Sequence, residues 1–433
     1  MRKFFFLLMA MTTIVACQKD MNEVAGSVQN EESATENPYA ISQEEAIANL
    51  EAFLGAFEAE TRSTQRSIKS IEAVEYSDIV NATRSSEEID IDNLLYIVEF
   101  EDGQGSAVIG ADRRVESVYA VLDESVLTVQ DFENAANGVE TDDISTYTAG
   151  LIAQSAANSV YSGTIPPEVD LTYDVFDYEA HTSVVTYITP MLNTKWGQGE
   201  PYNNNYVEYE DENGYPQRAP AGCGVIAAGQ FITHLRPSTT ITLNGHTHSY
   251  ADMAQVTFTN NAINPILKQK IAQFIYDLSV EMDATYNSNS TSVSPDELKK
   301  IFRKAGLWSV SAIDIDKDKI CEMLADSKPV TTYGYTSAGE GHAWIIDGRK
   351  LTQTNVIKVT YRDDVVISRE YQYSYLTDYI HCNFGWNGNC DGYYGYTIFD
   401  TTYTHPNEPN FGDASEPQDY IFDTNIDIIK YNL

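Results

Sequence analysis

The sequence predicts an α+β protein: a small α+β domain followed by a larger domain with a helical half and then an antiparallel sheet half. In the second part of the chain, helix-type hydrophobic repeats come first, and strand-type runs dominate from Pro329 onward. Composition divides the chain too, because all seven histidines, all four tryptophans and four of the five cysteines lie after residue 180. A chain of 433 residues is long enough for two domains, each with its own core.

The chain is strongly acidic, with 64 acidic against 27 basic residues and a formal charge of −37. Such a surface repels phosphate backbones and anionic lipid headgroups. We therefore expect no nucleic-acid partner. Hydrophobic residues make up 42% of the chain, which is ordinary for a globular protein and argues against general disorder.

The first 16 residues are expected to be a signal peptide, since Phe4–Val15 is apolar but too short to span a bilayer as a mature helix. The segment ends in Ala16-Cys17, which resembles the lipobox of bacterial lipoproteins, where the cysteine is lipidated. An ordinary signal peptide cleaved near Ala16 is the alternative. With Cys17 as a lipid anchor, we expect a membrane-attached protein of the bacterial cell envelope, at the outer membrane or cell surface, or one released after processing. Residues 17–38 are polar and predict a flexible tether.

Residues 39–165 are predicted to form a small α+β domain. Its first helix begins after Ser42, with Glu45 three residues on, as in a capping box, and one apolar face contains Ile47, Leu50, Leu54 and Phe57. Residues 94–100 and 106–110, on either side of a glycine turn, are predicted to form a hairpin. The domain contains no cysteine and no histidine, so it has no nucleophile–base pair of its own, and a regulatory role is the natural interpretation. Residues 166–180 are predicted to be a linker and processing region, and residues 181–433 the second domain.

Cys223 is the cysteine in the most unusual setting. A proline and small residues lead directly into a predicted helix whose first turn contains it. A helix N-terminus favours thiolate over thiol, and Gly222 beside it would let a substrate carbonyl approach the sulfur. The alternative is a small buried cysteine packed against glycine backbone.

A nucleophilic thiol needs a base, and His342 fits best. It follows Gly341 in a small-residue loop that runs into an apolar strand, which fixes the ring and leaves room for substrate. His234 lies eleven residues after Cys223 on the same predicted helix, roughly 16 Å away, and cannot reach the sulfur. The alternative for His342 is a histidine that closes a strand edge.

His246 and His248 flank a predicted hairpin turn at Asn244-Gly245. A metal role for this pair would need further ligands. We therefore expect neither a metal ion nor a cofactor.

Two further segments complete a candidate site. The side-chain carbonyl of Asn383 could hold the imidazole in one tautomer while aromatic rings, with Trp386 among them, shield that bond from water. Gln198 stands between glycines and could donate a hydrogen bond to an oxyanion, together with the backbone N–H of Cys223. The chain order Gln, Cys, His, Asn is more specific than any one piece.

These strings resemble the streptopain family of papain-like bacterial cysteine proteases, over about residues 180–400. The resemblance rests on four segments: Gln-Gly-x-Pro-Tyr-Asn at 198–203, Gly-Cys-x-x-x-Ala-x-x-Gln at 222–230, Gly-His-Ala-x-x-Ile-Asp-Gly at 341–348 and Asn-x-Gly-Trp-x-Gly at 383–388. It implies a papain-like fold with Cys223 as nucleophile, His342 as acid and base, and Gln198 as oxyanion donor. It also implies that the part before residue 180 is a propeptide that inhibits the enzyme intramolecularly, and that protein segments with an apolar side chain near the scissile bond are substrates.

The chain departs from the family in places. Phe384 stands where the family usually has tryptophan, so the residue that orients His342 stays open between Asn383 and an aromatic neighbour. Residues 352–375 look like an additional hairpin. Cys382 and Cys390 could pair as a disulfide. Two other functions fit the same residues: a thiol amidase or transamidase on this fold, and a non-catalytic surface lipoprotein that only binds ligands.

Overall fold

The computed structural model describes ten stretches of the chain. The predicted signal peptide, Cys17 and the predicted tether lie outside these stretches, as does the 166–174 part of the predicted linker. The stretches are 39–59, 66–79, 91–138, 143–161, 175–210, 214–257, 264–335, 341–362, 365–399 and 426–432.

The helices and strands are numbered in chain order. The helices are α1 (Gln43–Phe57), α2 (Tyr76–Ile79), α3 (Val129–Ala136), α4 (Ile144–Tyr161), α5 (Cys223–Leu235), α6 (Tyr250–Met253), α7 (Pro265–Glu281), α8 (Pro295–Lys304) and α9 (Lys317–Ala325). Short 3-10 helices cover Glu101–Gly103 and Tyr396–Phe399. The strands of the large sheet are β1 (Ile68–Glu75), β2 (Asn93–Phe100), β3 (Ser106–Gly110), β4 (Val118–Leu122), β5 (Val175–Ile188), β12 (Trp308–Asp314), β13 (Val330–Tyr335), β14 (Gly341–Arg362), β15 (Val365–Asn383), β16 (Gly392–Gly395) and β17 (Ile426–Asn432). Three small hairpins pair β6 (Glu208–Glu210) with β7 (Pro216–Arg218), β8 (Thr240–Leu243) with β9 (His246–Ser249), and β10 (Thr285–Tyr286) with β11 (Thr291–Ser292).

The described residues between 39 and 161, called the N-terminal region here, form four antiparallel strands, β1 to β4, with helices α1 to α4. Ser42 caps α1, and its hydroxyl accepts a hydrogen bond from the Glu45 N–H at 3.2 Å, as the sequence predicts. The predicted hairpin appears as β2 and β3. Of the apolar face predicted for α1, Leu50, Leu54 and Phe57 are buried, whereas Ile47 is half-buried.

The remaining described residues, 175–432, are called the C-terminal region. Their order confirms the predicted fold class: α5 to α9 come first, and the antiparallel strands β13 to β17 follow. Helices α7 and α8 begin at the predicted prolines, Pro265 and Pro295, each at a first-turn position that needs no backbone donor. The strands predicted around the 352–375 hairpin prove to be parts of two long strands, β14 and β15.

One sheet runs through both regions. Its order is β1-β2-β3-β4-β16-β15-β14-β13-β17-β12, and β5 pairs with β14. The junction is the antiparallel pairing of β4 with β16, in which Val121 lies opposite Tyr393. Residues 175–180, within the predicted linker, form the start of β5 and pair with β14. The domain boundaries given above stay predictions.

A second, smaller core lies on the face of this shared sheet. It contains α1 side chains such as Phe53 and Phe57, strand residues of the N-terminal region, and two tyrosines of the C-terminal region, Tyr379 and Tyr393. Phe57 makes edge contacts with both tyrosine rings, with centroids 5.3 and 5.5 Å away. The two regions therefore share apolar burial as well as backbone pairing.

No described helix is long and apolar enough to cross a membrane. Within the described residues, Cys382 and Cys390 are free thiols and not a disulfide. Cys390 is buried against α4, with Sγ 3.6 Å from the hydroxyl oxygens of Ser145 and Thr148.

Candidate active site

A pocket of about 370 Å³ lies where α5, β13, β14 and the loop after β15 meet. It brings together Cys223, His342, Gln198, Gly341 and Trp386, five of the residues singled out in the sequence. Asp143, Ile144 and Tyr147 of the N-terminal region also line it.

Cys223 is the first residue of α5, as predicted, and is half-buried at the pocket wall. Gly222 before it has φ 89°, and a Cβ there would lie 2.5 Å from the carbonyl oxygen of Thr291. Only glycine fits this position, for both reasons. The Sγ atom of Cys223 lies 3.9 Å from the carbonyl oxygen of Gly341, the residue before His342.

His342 lies near the start of β14, with its ring stacked between aromatic neighbours. The ring centroids of Phe384 and Trp344 are 5.9 and 6.1 Å away, and that of Tyr147 is 5.6 Å away. Burial lowers the pKa of His342 to about 4. A hydrogen bond with the Phe384 backbone favours the charged ring and opposes this shift, but burial is the larger effect. Among the described residues, no atom hydrogen-bonds the buried Nε2 of His342. The imidazole is therefore neutral and makes no hydrogen bond to the Cys223 sulfur through Nε2.

Gln198 also lines the pocket, in a segment fixed by close backbone contacts. Its carbonyl oxygen accepts a hydrogen bond from the Ala221 N–H at 2.8 Å, so it lies beside the residues that lead into α5. A Cβ on Gly197 would lie 2.3 Å from the side-chain oxygen of Asn387, which explains a glycine next to Gln198. The Asn387 N–H donates to the Trp196 carbonyl at 3.1 Å.

Asn383 is buried behind the pocket and its side chain is fully engaged elsewhere. Oδ1 accepts from Gln230 Nε2 at 3.0 Å and from the Gly385 N–H at 3.2 Å, and Nδ2 donates to the Thr194 carbonyl at 2.8 Å. The His342 ring donates a hydrogen bond instead to the backbone of Phe384, the residue after Asn383. Trp386 lines the pocket, but the Asn383–His342 hydrogen bond that it was predicted to shield is not among the contacts of Asn383.

Tyr147 is a pocket residue that the sequence did not reveal. It lies in the first turn of α4, and its ring contacts both His342 and Trp344, the latter at 6.2 Å between centroids. Burial is the main cause of a raised Tyr147 pKa, and the Cys223 thiol adds to it. The N-terminal region thus covers the pair formed by the thiol and the imidazole. No local pattern marks Tyr147, because its role depends on a contact almost 200 residues away in sequence.

Lys350 on β14 forms a second contact of the N-terminal region that the sequence did not reveal. It is 3% exposed, and its Nζ donates to the Phe57 carbonyl at 2.7 Å, at the C-terminal end of α1. The ammonium also lies over the rings of Phe57, Tyr393 and Tyr187, at 3.9, 4.7 and 5.1 Å from their centroids.

A buried ion cluster forms a third contact between the regions. His381 Nδ1 is 2.6 Å from Asp347, and its Nε2 is 3.4 Å from Asp123 of the N-terminal region. Burial opposes the charged imidazolium, but the two carboxylates outweigh it and raise the pKa of His381 to about 10.

The predicted hairpin histidines, His246 and His248, have a structural partner. His246 Nδ1 and His248 Nε2 each lie 2.9 Å from Oδ2 of the fully buried Asp277. Within the described residues, no group of three or more histidine, cysteine or carboxylate side chains is arranged to hold a metal ion.

Comparison with known proteins gives a family for this site. Residues 196–394 match the model of the Peptidase C10 family, whose members are cysteine peptidases. No curated protein matches the chain significantly.

Two solved structures are similar to the chain. One is a mutant fragment of Prevotella intermedia prointerpain A, with 18% identity and a TM-score of 0.49, covering 80% of this chain and 97% of the fragment. The other is the active Prevotella intermedia interpain A cysteine protease, with 18% identity and a TM-score of 0.37, covering 57% of this chain and 95% of that one.

Proposed function

We propose that the protein is a member of the Peptidase C10 family, whose model matches residues 196–394, and that it is an exported cysteine endopeptidase made as an inactive precursor. One observation carries the proposal: a thiol at a helix N-terminus, an imidazole and a carboxamide line a single pocket. These are Cys223, His342 and Gln198.

The reaction is hydrolysis through a thioester. The Cys223 thiolate attacks the peptide carbonyl, and the oxyanion accepts hydrogen bonds from the Gln198 side chain and the Cys223 N–H. His342 as imidazolium protonates the leaving amine; as neutral imidazole it then takes a proton from the water that attacks the thioester. The acid is released and the thiol regenerated. Gly341 lines the pocket beside the sulfur, and its lack of a side chain leaves room for the substrate backbone.

The precursor is inactive because its active site is covered and its imidazole is uncharged. Nε2 of His342 has no hydrogen-bond partner among the described residues, and the ring is neutral above about pH 4. Tyr147 covers the His342 ring from the side of the N-terminal region. Departure of the N-terminal region removes this cover and admits water and substrate, which lets His342 take up the proton that the mechanism requires. The N-terminal region is therefore an intramolecular inhibitor.

The pocket wall favours an apolar substrate side chain. Val293, Leu298 and Tyr333 line it beside Cys223, and the latter two are buried. An apolar substrate side chain that packs against these residues displaces water from their apolar surface, which stabilises the bound peptide. The substrates are therefore extended protein segments with an apolar residue close to the scissile bond.

Export and anchoring follow from the first residues of the chain. The apolar run and Cys17 support a lipid anchor in the cell envelope. The activating cut lies between residues 162 and 174, because from Val175 onward the backbone is paired with β14 and is a poor substrate for a protease. Cleavage there, followed by dissociation of the N-terminal region, would release the C-terminal region from the anchor.

The first experiment incubates residues 18–433 under reducing conditions beside a Cys223→Ala variant, followed by mass spectrometry and a casein assay. We expect the parent chain to lose roughly its first 150 residues and then to cleave casein. The variant should stay intact. A parent chain that stays intact, resists labelling at Cys223 after trimming by an added protease and cleaves no protein would overturn the proposal. Release of amine from small amides without protein cleavage would favour an amidase.

A further inference from the structure

A buried hydrogen-bonded bridge lies directly behind the pocket. Gln230 is on α5, about two turns after Cys223, and is fully buried. Asn383 ends β15 and is 4% exposed. Gln230 Nε2 donates to Asn383 Oδ1 at 3.0 Å, so the bridge joins helix to sheet. Neither side chain lines the pocket.

The two amides also hold one common segment. Gln230 Oε1 accepts from the Trp196 N–H at 3.0 Å, and Asn383 Nδ2 donates to the Thr194 carbonyl at 2.8 Å. Trp196 is two residues before Gln198. The bridge therefore fixes the backbone that presents Gln198 to the pocket.

The bridge also contacts the loop after β15, which contains aromatic residues of the site. Asn383 Oδ1 accepts a second hydrogen bond, from the Gly385 N–H at 3.2 Å. Gly385 lies between Phe384, which stacks on His342, and Trp386, which lines the pocket. Two side chains thus connect the nucleophile helix, the oxyanion segment and the aromatic loop.

The orientation of Gln230 is determined by its partners. Rotating its amide by 180° would put an NH₂ group against the Trp196 N–H and an oxygen against Asn383 Oδ1. Both contacts would be repulsive in a buried site where an unmade hydrogen bond is expensive. Only one orientation of the two amides satisfies every buried donor and acceptor. The nucleophile helix, the oxyanion segment and the aromatic loop are therefore held in one relative position.

We propose that Gln230 is a positioning residue for catalysis: through Asn383 it sets the distance between the Cys223 sulfur and the Gln198 carboxamide. The inference rests on the proposed peptidase function. It assigns no contact with substrate to Gln230. Its effect is on the geometry in which the oxyanion is stabilised.

The test is Gln230→Glu in the full chain, activated by a serine protease that is then blocked with a serine-specific inhibitor. The replacement keeps the shape and the acceptor for Trp196, but puts a carboxylate oxygen against Asn383 Oδ1. We expect kcat to fall about 10- to 100-fold with KM within threefold, because a displacement of about 1 Å or a lost oxyanion donor has effects on this scale. Alkylation of Cys223 by iodoacetamide, which needs no oxyanion donor, should stay within threefold of the parent.

Acid should reverse the defect. Burial raises the pKa of the introduced carboxyl, and its protonated form again has a donor for Asn383. The ratio of variant kcat to parent kcat should therefore rise as the pH falls from 8 to 5. General structural damage would not be repaired by protonation.

The matched control is Thr233→Val on the same helix. The Thr233 hydroxyl is buried and has no hydrogen-bond partner among the described residues, so kcat should stay within twofold of the parent. A folded Gln230→Glu chain with kcat within threefold of the parent, or one that loses alkylation in parallel with kcat, overturns the proposal.

A second variant reaches the bridge from its other end. Asn383→Asp keeps the acceptor for Gln230 and Gly385 and replaces only the donor to Thr194. If Gln230→Glu does not fold, Asn383→Asp replaces it as the test, and we expect the same 10- to 100-fold fall in kcat. A kcat of Asn383→Asp equal to that of the parent overturns the proposal. Lack of peptidase activity in the parent and in Thr233→Val would instead mean that the proposed function fails.

Discussion

Lys350→Met tests how the N-terminal region is held in the precursor. The lysine belongs to the C-terminal region, is almost completely buried, and donates 2.7 Å to the carbonyl of Phe57 at the end of α1. It is also 3.9 Å from the centroid of the Phe57 ring. Methionine keeps the length and apolar stem of the side chain but removes the charge and the donor.

The magnitude follows from the lost contacts. A hydrogen bond to a charged group contributes about 1.5–3 kcal/mol, and a cation at a helix C-terminus about 0.3–1 kcal/mol. Desolvation of the ammonium offsets part of this in the parent. The net loss is about 2 kcal/mol, which corresponds to roughly a 30-fold larger population in which α1 is detached.

Hydrogen exchange measures that population. In a Cys223→Ala background, which prevents processing, α1 amides should exchange about 30-fold faster in Lys350→Met than in the parent. Lys358→Met is the control, since Lys358 is on the same strand, half-buried and opposite Glu370, and such pairs contribute about 0–1 kcal/mol. Exchange of α1 within threefold of the parent in Lys350→Met would refute the reasoning.

Two further predictions concern the covered pocket. Tyr147→Ala removes the ring that lies against His342, so maleimide labelling of Cys223 in the unprocessed chain should become at least tenfold faster; labelling within twofold of the parent would contradict this cover. The second prediction follows from the pKa of His342, which is lowered to about 4. Between pH 6.5 and 4 the imidazole is protonated in the unfolded chain but stays neutral in the folded chain. The precursor therefore loses stability as the pH falls through this range. In urea unfolding, the loss of stability between pH 7 and 4.5 should be about 2 kcal/mol smaller in His342→Gln than in the parent, both in the Cys223→Ala background. Equal losses in the two chains would show that His342 is not the group that titrates.

Local signals in the sequence predicted much of the fold. The start of α5 at Cys223 follows from a run of small residues before a helical repeat, and the starts of α7 and α8 follow from Pro265 and Pro295. The pocket residues Cys223, His342 and Gln198 could be singled out because glycines next to each mark close approach of backbone.

Long-range contacts could not be predicted in this way. The sequence left the residue that orients His342 open between Asn383 and an aromatic neighbour, and the Asn383 side chain instead bonds with Gln230, a residue 153 positions earlier. Tyr147 and Lys350 look like ordinary helix and strand residues, and only tertiary packing brings them to the pocket and to α1. The continuous β14 and β15 were read as separate strands, because neither periodicity nor turn residues show that pairing continues through a bulge.

Because one sheet runs through both regions, cleavage of the chain and dissociation of the N-terminal region are two separate events. A cut between residues 162 and 174 breaks one covalent bond, but β4 remains paired with β16, Lys350 remains under α1, and His381 remains beside Asp123. The immediate product is a nicked complex of two chains that is still covered at the pocket. Under the proposed function we therefore expect activity to appear after a lag that is set by dissociation of the complex and not by the cut, and we expect the lag to lengthen when the released fragment accumulates.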